Sequence, residues 1–184
     1  MTISKALYTS DSSEWETPQD LFDRLNGEFE FALDPCATPE NAKCEQYFTK
    51  LHPHGYIRPG DGLSSPWEGN AFVNPPYGEP EQPCKPKCKK QICQKRGWHA
   101  EEYIPGVIDW VAKAKYEANL RLTTNVMLLP GRIDTGWYHK YIWDGLTHKP
   151  QTGVEVRHLK GRLKFGGAAN SAPFPSMIVI FRGA

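Results

Sequence analysis

Asn74-Pro75-Pro76-Tyr77 is the segment of this 184-residue chain whose composition most narrows the chemistry open to it. It follows Ala71-Phe72-Val73, a short apolar run expected to be a strand. Two consecutive prolines remove two backbone donors and fix φ, so the carbonyls of the turn are held rigidly and point outward. The Asn74 side-chain oxygen and the Pro75 carbonyl then make paired acceptors, between which an amine on an aromatic base can place two N–H groups. Such acceptors favour the nitrogen as it turns tetrahedral and gains positive charge during attack on an electrophile. Tyr77 offers a flat face for the ring, and in a duplex that ring must first leave the stack. The bland alternative is a proline-rich turn; strand context and the aromatic at the fourth position favour the chemical reading.

The second chemical group follows at once. Cys84, Cys88, Cys93 and His99 place three thiols and an imidazole within sixteen residues. A tetrahedral structural zinc site takes such a Cys3His set, and a segment this poor in apolar residues would owe its order to the metal. Incidental thiols on a solvated loop, or a redox pair, are the competing readings. Lys85, Lys87, Lys89, Lys90, Lys95 and Arg96 lie among these ligands, and no acidic residue occurs from Cys84 to Ala100. The chain's net charge is only +1, so six positive charges here leave −5 for the remainder. Phosphate contacts depend on local charge, so the basic segment at 79–104 is an expected DNA-gripping insertion within one domain spanning 1–184.

Elements must hold these groups in place. Thr17-Pro18 predicts a helix start, with Thr17 as cap, Leu21, Phe22 and Leu25 on one face and Gly27 as the stop. Short strands are expected over Phe29 to Leu33 and over Ala71 to Val73. A helix follows Pro105, with Ile108, Val111, Ala114 and Trp110 at or beside helical spacing. Asn125 to Leu129 reads as a strand buried on both faces, and Asp134 or Thr135 caps a helix carrying Trp137, Tyr138, Tyr141 and Ile142. Val154 to His158, Arg162 to Phe165 and Ser176 to Phe181 are expected closing strands. Alternating strands and helices imply an α/β fold with a mainly parallel sheet. Asp34 and Asn74 then share the edge at the carboxyl ends of strands, where ligands bind in open α/β sheets.

Composition agrees with one compact domain. Sixteen glycines and sixteen prolines predict long loops. No apolar run approaches the ~20 residues of a membrane helix, and the polar start, Met1 to Ser13, lacks the apolar stretch of a signal peptide. A cytoplasmic protein with no membrane partner is expected. Cys36 and Cys44 read as buried thiols; His52, His54, His148 and His158 have no matching partners. Oligomeric state and the recognised DNA site are not encoded in any recognisable element.

In order along the chain stand Trp15-Glu16-Thr17-Pro18, Leu33-Asp34-Pro35-Cys36-Ala37, Asp61-Gly62-Leu63, Trp67, Asn74-Pro75-Pro76-Tyr77, Leu129-Pro130, Asp134-Thr135-Gly136-Trp137 and Gly161-Arg162-Leu163-Lys164-Phe165. Together they resemble the S-adenosylmethionine-dependent amino-methyltransferases, and most closely the small phage-type, Dam-like DNA N6-adenine methyltransferases. The resemblance covers Trp15 to Phe181. It implies a Rossmann-like methyltransferase sheet, double-stranded DNA as substrate and a phage or prophage origin in a bacterial cell, with protection from restriction as the role.

The resemblance makes Asn74, Pro75, Pro76 and Tyr77 the catalytic turn. Asp34, Pro35 and Ala37 become the first cofactor loop, with Trp15, Thr17 and Pro18 at the methionine end, Asp61 at the adenosine, and Asn74 at the join. The superfamily's glycines are missing after Asp34, where Ala37-Thr38-Pro39 stands. Only 40 residues separate Asp34 from Asn74, so elements between them must be short. Arg132 is a candidate phosphate contact, or simply solvated. Phe165 is a candidate for packing on the extruded base, or a core residue. The same turn could serve RNA bases or a protein glutamine, and a non-enzymatic zinc-stabilised DNA-binding module is the third alternative.

Overall fold

The chain folds, in the computed structural model, around a six-stranded sheet, and the structure describes residues 15–51, 57–58, 61–166, 168 and 170–183. The polar start of the chain, His52 and His54 lie outside the described residues. Helix α1 (Gln19–Phe29) precedes β1 (Leu33–Asp34), β2 (Gln46–Tyr47) and a ribbon of β3 (Lys50–Leu51) and β4 (Ile57–Arg58). A 3-10 turn over Asp61–Leu63 leads to β5 (Ala71–Val73), α2 (Gln91–Arg96), α3 (Val107–Arg121), β6 (Thr124–Pro130) and α4 (Gly136–Tyr141). A second ribbon, β7 (Trp143–Asp144) with β8 (Lys149–Pro150), then β9 (Val154–His158) and β10 (Ser176–Arg182) complete the fold.

Sheet order is β2-β1-β5-β6-β10-β9. The pairs β1–β2, β1–β5 and β5–β6 are parallel, whereas β10 runs antiparallel to both β6 and β9. The sheet is therefore mixed, parallel on one side and closed by a reversed final strand. No strand forms over Arg162 to Phe165. That segment lies over the sheet instead, where Phe165 joins the α1-side core and Ala172 N–H reaches the Leu163 carbonyl at 2.8 Å.

Period-2 alternation along the central strands divides the core into two layers. Val126, Leu128, Ile178 and Ile180 face α1, meeting Leu21, Phe22, Leu25 and Phe29. Met127, Leu129, Met177, Val179 and Phe181 face α3 and α4, meeting Trp110, Val111, Ala114, Ala118, Trp137 and Ile142. Trp137, Tyr138 and Tyr141 thus serve the core. Helix α1 runs through Gly27 to Phe29 because burying Phe29 outweighs the ~1 kcal/mol cost of an interior glycine. Its end is set at Glu30, left-handed at φ 49°, whose N–H reaches the Asn26 carbonyl.

From β1 the chain crosses to β2 on one side and later to β5 on the other, so strand order reverses between β1 and β5. The carboxyl ends of those two parallel neighbours carry Asp34 and Asn74. Among the described residues no α-helix lies between them, in keeping with the short separation in sequence.

Candidate active site and metal centre

The Asn74 amide is held from both ends. Its Nδ2 donates to the Thr17 hydroxyl at 3.0 Å and to the Trp15 carbonyl. Its Oδ1 accepts the Tyr77 hydroxyl proton at 2.7 Å, with the Leu128 carbonyl 3.3 Å from the same hydroxyl. Both amide protons are thereby used, the flip is fixed, and Oδ1 retains one lone pair. Burial pushes the Tyr77 phenol well above its usual range, so it remains a donor. Thr17 is not the helix cap that the sequence predicts. Pro18 occupies the position before α1, Leu21 and Phe22 N–H reach its carbonyl, and the Thr17 hydroxyl turns to Asn74 instead.

Aromatic rings close over the turn. Tyr77 meets Phe174 edge-on at 5.7 Å and Phe165 at 6.5 Å, and Trp15 packs on those two rings at 5.2 and 5.0 Å. Phe165 is thus brought beside Tyr77, although at 2% exposure it is core in this arrangement. Phe174 completes the cluster and carried no signal in the sequence.

Asp34 is buried at the end of β1. Its Oδ1 accepts the Cys36 N–H at 3.3 Å and its Oδ2 the Lys43 N–H at 3.1 Å, which closes the 36–43 loop on the carboxylate. Loss of hydration on burial outweighs these bonds and pushes the acid up to about 6. The Asp61–Leu63 turn presses against this loop: a Cβ on Gly62 would sit 2.0 Å from the Pro35 carbonyl oxygen. Pro35 and Ala37 are buried in the same place, Ala37 N–H reaching the Phe48 carbonyl. Cys36 is buried and Cys44 half-buried, both thiols pushed up by desolvation, consistent with inert thiols.

Beyond Tyr77 the chain forms a neck. Val107 N–H reaches the Gly78 carbonyl at 2.9 Å, Glu81 and Ile104 exchange antiparallel bonds, and Cys84 N–H reaches Ala100. Gly106 is required here, since a Cβ would come 2.4 Å from the Pro80 nitrogen. At the end of the neck the ligand atoms of Cys84, Cys88, Cys93 and His99 all lie within 4.8 Å of one another. The cluster could hold a metal ion. Cys84 Sγ and Cys88 Sγ stand 3.5 and 3.9 Å from Cys93 Sγ; sulfurs at 2.3 Å from a tetrahedral zinc are about 3.8 Å apart. Cys93 sits on α2, an element whose polar sequence concealed it. The helix ends at Gly97, left-handed at φ 78°.

Lys85, Lys87, Lys89, Lys90 and Lys95 are exposed around the cluster. Arg96 differs: it pairs with Glu81 at 3.0 Å, lies 3.7 Å over the Trp98 ring and points one N–H at Cys93 Sγ. Arg132 lies 3.7 Å from Glu79, near the neck.

The chain thus has a mixed α/β sheet, with Asp34 and Asn74 at the carboxyl ends of two neighbouring parallel strands, and beyond it a Cys3His cluster that could hold a metal ion. A family model described as DNA N-6-adenine-methyltransferase (Dam) matches residues 4–183, and the chain belongs to that family. Membership implies DNA adenine N6-methyltransferase activity. No curated protein and no solved structure matches the chain. Among the described residues no helix is long and apolar enough to cross a membrane.

Proposed function

We propose that this protein transfers a methyl group from S-adenosylmethionine to N6 of an adenine rotated out of double-stranded DNA. The observation that carries the proposal is the fixed Asn74 amide, which presents an acceptor at the carboxyl end of β5, beside the Asp34 loop. Strand order with a reversed final strand supports a Rossmann-like methyltransferase sheet.

The donor set suits the cofactor. Asp34 keeps lone pairs beyond its two N–H bonds, enough to accept from ribose hydroxyls or an adenine amine. Trp15, Thr17, Pro18, Pro35, Ala37 and Asp61 border the same edge. When bound, the cofactor supplies an electrophilic methyl on a sulfonium centre.

The remaining work falls to the turn. Asn74 Oδ1 and the Pro75 carbonyl accept the two N6 protons and hold the nitrogen lone pair toward the methyl. Pro76 keeps the turn rigid, and Tyr77 fixes Oδ1 while its ring borders the base. As the N–C bond forms and the S–C bond breaks, the pair left on sulfur neutralises it and positive charge grows on nitrogen, against the two acceptors. The surplus proton leaves to water, so positioning dominates and no strong base is needed. Phe165, packed beside Tyr77, is the candidate to border the base on its other side.

Cys84, Cys88, Cys93 and His99 hold a structural zinc ion in the 79–104 insertion. Its exposed lysines, with Arg132, grip phosphates near the flipped base; Arg96 braces the insertion through Glu81 and Trp98. Methyl transfer from labelled S-adenosylmethionine onto DNA, RNA and protein, with mapping of the product, tests the reading. N6-methyladenine in DNA, lost in Asn74→Ala, is expected. Label on RNA or on glutamine, or none at all, overturns it.

A further inference from the structure

We propose that Lys43 is a positioning residue that couples the Asp34 loop to the orientation of Asn74. The inference rests on the function proposed above and concerns the same site.

Trp15 and Thr17 fix the Asn74 amide, so the placement of residues 15–19 sets where Oδ1 points. The clamp on that strap comes from elsewhere. Lys43 Nζ donates to Glu16 Oε1 at 3.2 Å and to Gln19 Oε1 at 3.1 Å, straddling Thr17 in the sequence. The Lys43 side chain is only 9% exposed, unlike an ordinary surface lysine, so its attraction to Glu16 is less screened than at a fully wetted pair. Its backbone N–H meanwhile binds Asp34 Oδ2 at 3.1 Å. One residue thus holds the buried carboxylate at the end of β1 with its main chain and the strap with its side chain. The strap is also pinned by Gly166 N–H to the Glu16 carbonyl at 2.8 Å, which links it to the Phe165 segment.

Filling of the Asp34 loop is therefore transmitted through Lys43 to Glu16 and Gln19, and from Thr17 to the Asn74 acceptor. Neither Lys43 nor Glu16 touches the reacting atoms in this scheme. A purely structural lysine would affect folding, but it would not alter the order of one distant amide.

Three variants test this: Lys43→Met, Lys43→Arg and Glu16→Ala. Two readouts are used, single-turnover methyl transfer at saturating cofactor and DNA, and hydrogen exchange of the Asn74 side-chain amide by NMR, assigned by its loss in Asn74→Ala. Lys43→Met and Glu16→Ala are expected to speed exchange of that amide and to slow transfer roughly 10- to 100-fold, as small misplacements do. Lys43→Arg should recover most of both, with DNA affinity unchanged throughout. Wild-type exchange and wild-type rate in both Lys43→Met and Glu16→Ala overturn the proposal. So does Lys43→Arg being as impaired as Lys43→Met. If the wild-type protein methylates nothing, the functional reading fails, while the exchange measurement still decides the role of Lys43.

Discussion

Tyr77 donates its hydroxyl proton to Oδ1 of Asn74 across 2.7 Å, three residues along the same turn. The two residues expected to act separately on a substrate, one as acceptor and one as stacking face, are thus also a unit. The hydroxyl occupies one lone pair of Oδ1 and leaves the other for a further donor, while Nδ2 is spent on Trp15 and Thr17.

Removing the hydroxyl alone separates these roles. Tyr77→Phe keeps the ring and its packing on Phe174 but leaves Oδ1 positioned only through the two Nδ2 anchors. Transfer should slow about tenfold, and unfolding free energy should drop by about 1 kcal/mol, the worth of one such hydrogen bond. Asn74→Ala should lose transfer altogether while the protein stays folded. Single-turnover rates and urea titrations measure both; a fully active Asn74→Ala variant would falsify the mechanism.

The 79–104 segment should respond to metal removal as a unit. Cys88→Ser, or a strong chelator, is expected to release one zinc ion per chain, counted by elemental analysis. Hydrogen-exchange protection should disappear around Cys84–Ala100 and persist in β6 and β10. DNA affinity should fall with it. Lys89→Ala with Lys90→Ala, metal retained, should flatten the salt dependence by a slope of roughly 0.9 for each phosphate no longer neutralised.

Much of the frame was legible in the sequence because it obeys one periodicity at a time. Strands over Ala71–Val73 and Val154–His158, and helix α3, follow directly from apolar spacing. The reversed β10 was not legible, since MIVIF reads the same in either direction of pairing. Arg162 to Phe165 has a strand's composition but packs across the sheet instead, with Phe165 buried beside Phe174. The turn Asn74–Tyr77 and the Cys3His cluster were legible because each is local. The anchors of Asn74 were not: Trp15 and Thr17 lie 59 and 57 residues away, and only the fold brings them together. Lys43, Phe174 and the bracing role of Arg96 were hidden for the same reason.

Gly62 offers a steric test of the proposed cofactor edge. Its missing Cβ leaves room for the Pro35 carbonyl, which an alanine would approach to 2.0 Å. Backbone cannot yield as a flexible side chain does, so Gly62→Ala should displace the 35–37 loop or the Asp61–Leu63 turn. A cost of about 3 kcal/mol is expected, at the upper end for single substitutions. S-adenosylmethionine affinity, measured by calorimetry, should fall with it, whereas Gly27→Ala, with open space around it, should leave affinity unchanged.

Asp34 gives the pH test, and its sign is opposite to that of a salt-bridged carboxylate. Burial raises it to about 6 from an ordinary 3.8. The folded state therefore prefers the neutral acid. That contribution is fully present below about pH 3.8, the unfolded value, and is lost as pH rises through about 6. The gap between the folded and unfolded values corresponds to about 3 kcal/mol across the window. Urea unfolding of wild type and Asp34→Asn from pH 4 to 8 isolates it, because the other carboxylates are common to both proteins. Wild type should lose stability relative to the variant between pH 4 and 7. Cofactor affinity should move the other way, rising through pH 6 as the carboxylate forms, and should be low and flat in Asp34→Asn. Parallel stability curves for the two proteins would mean that Asp34 titrates as an exposed acid, contrary to its burial.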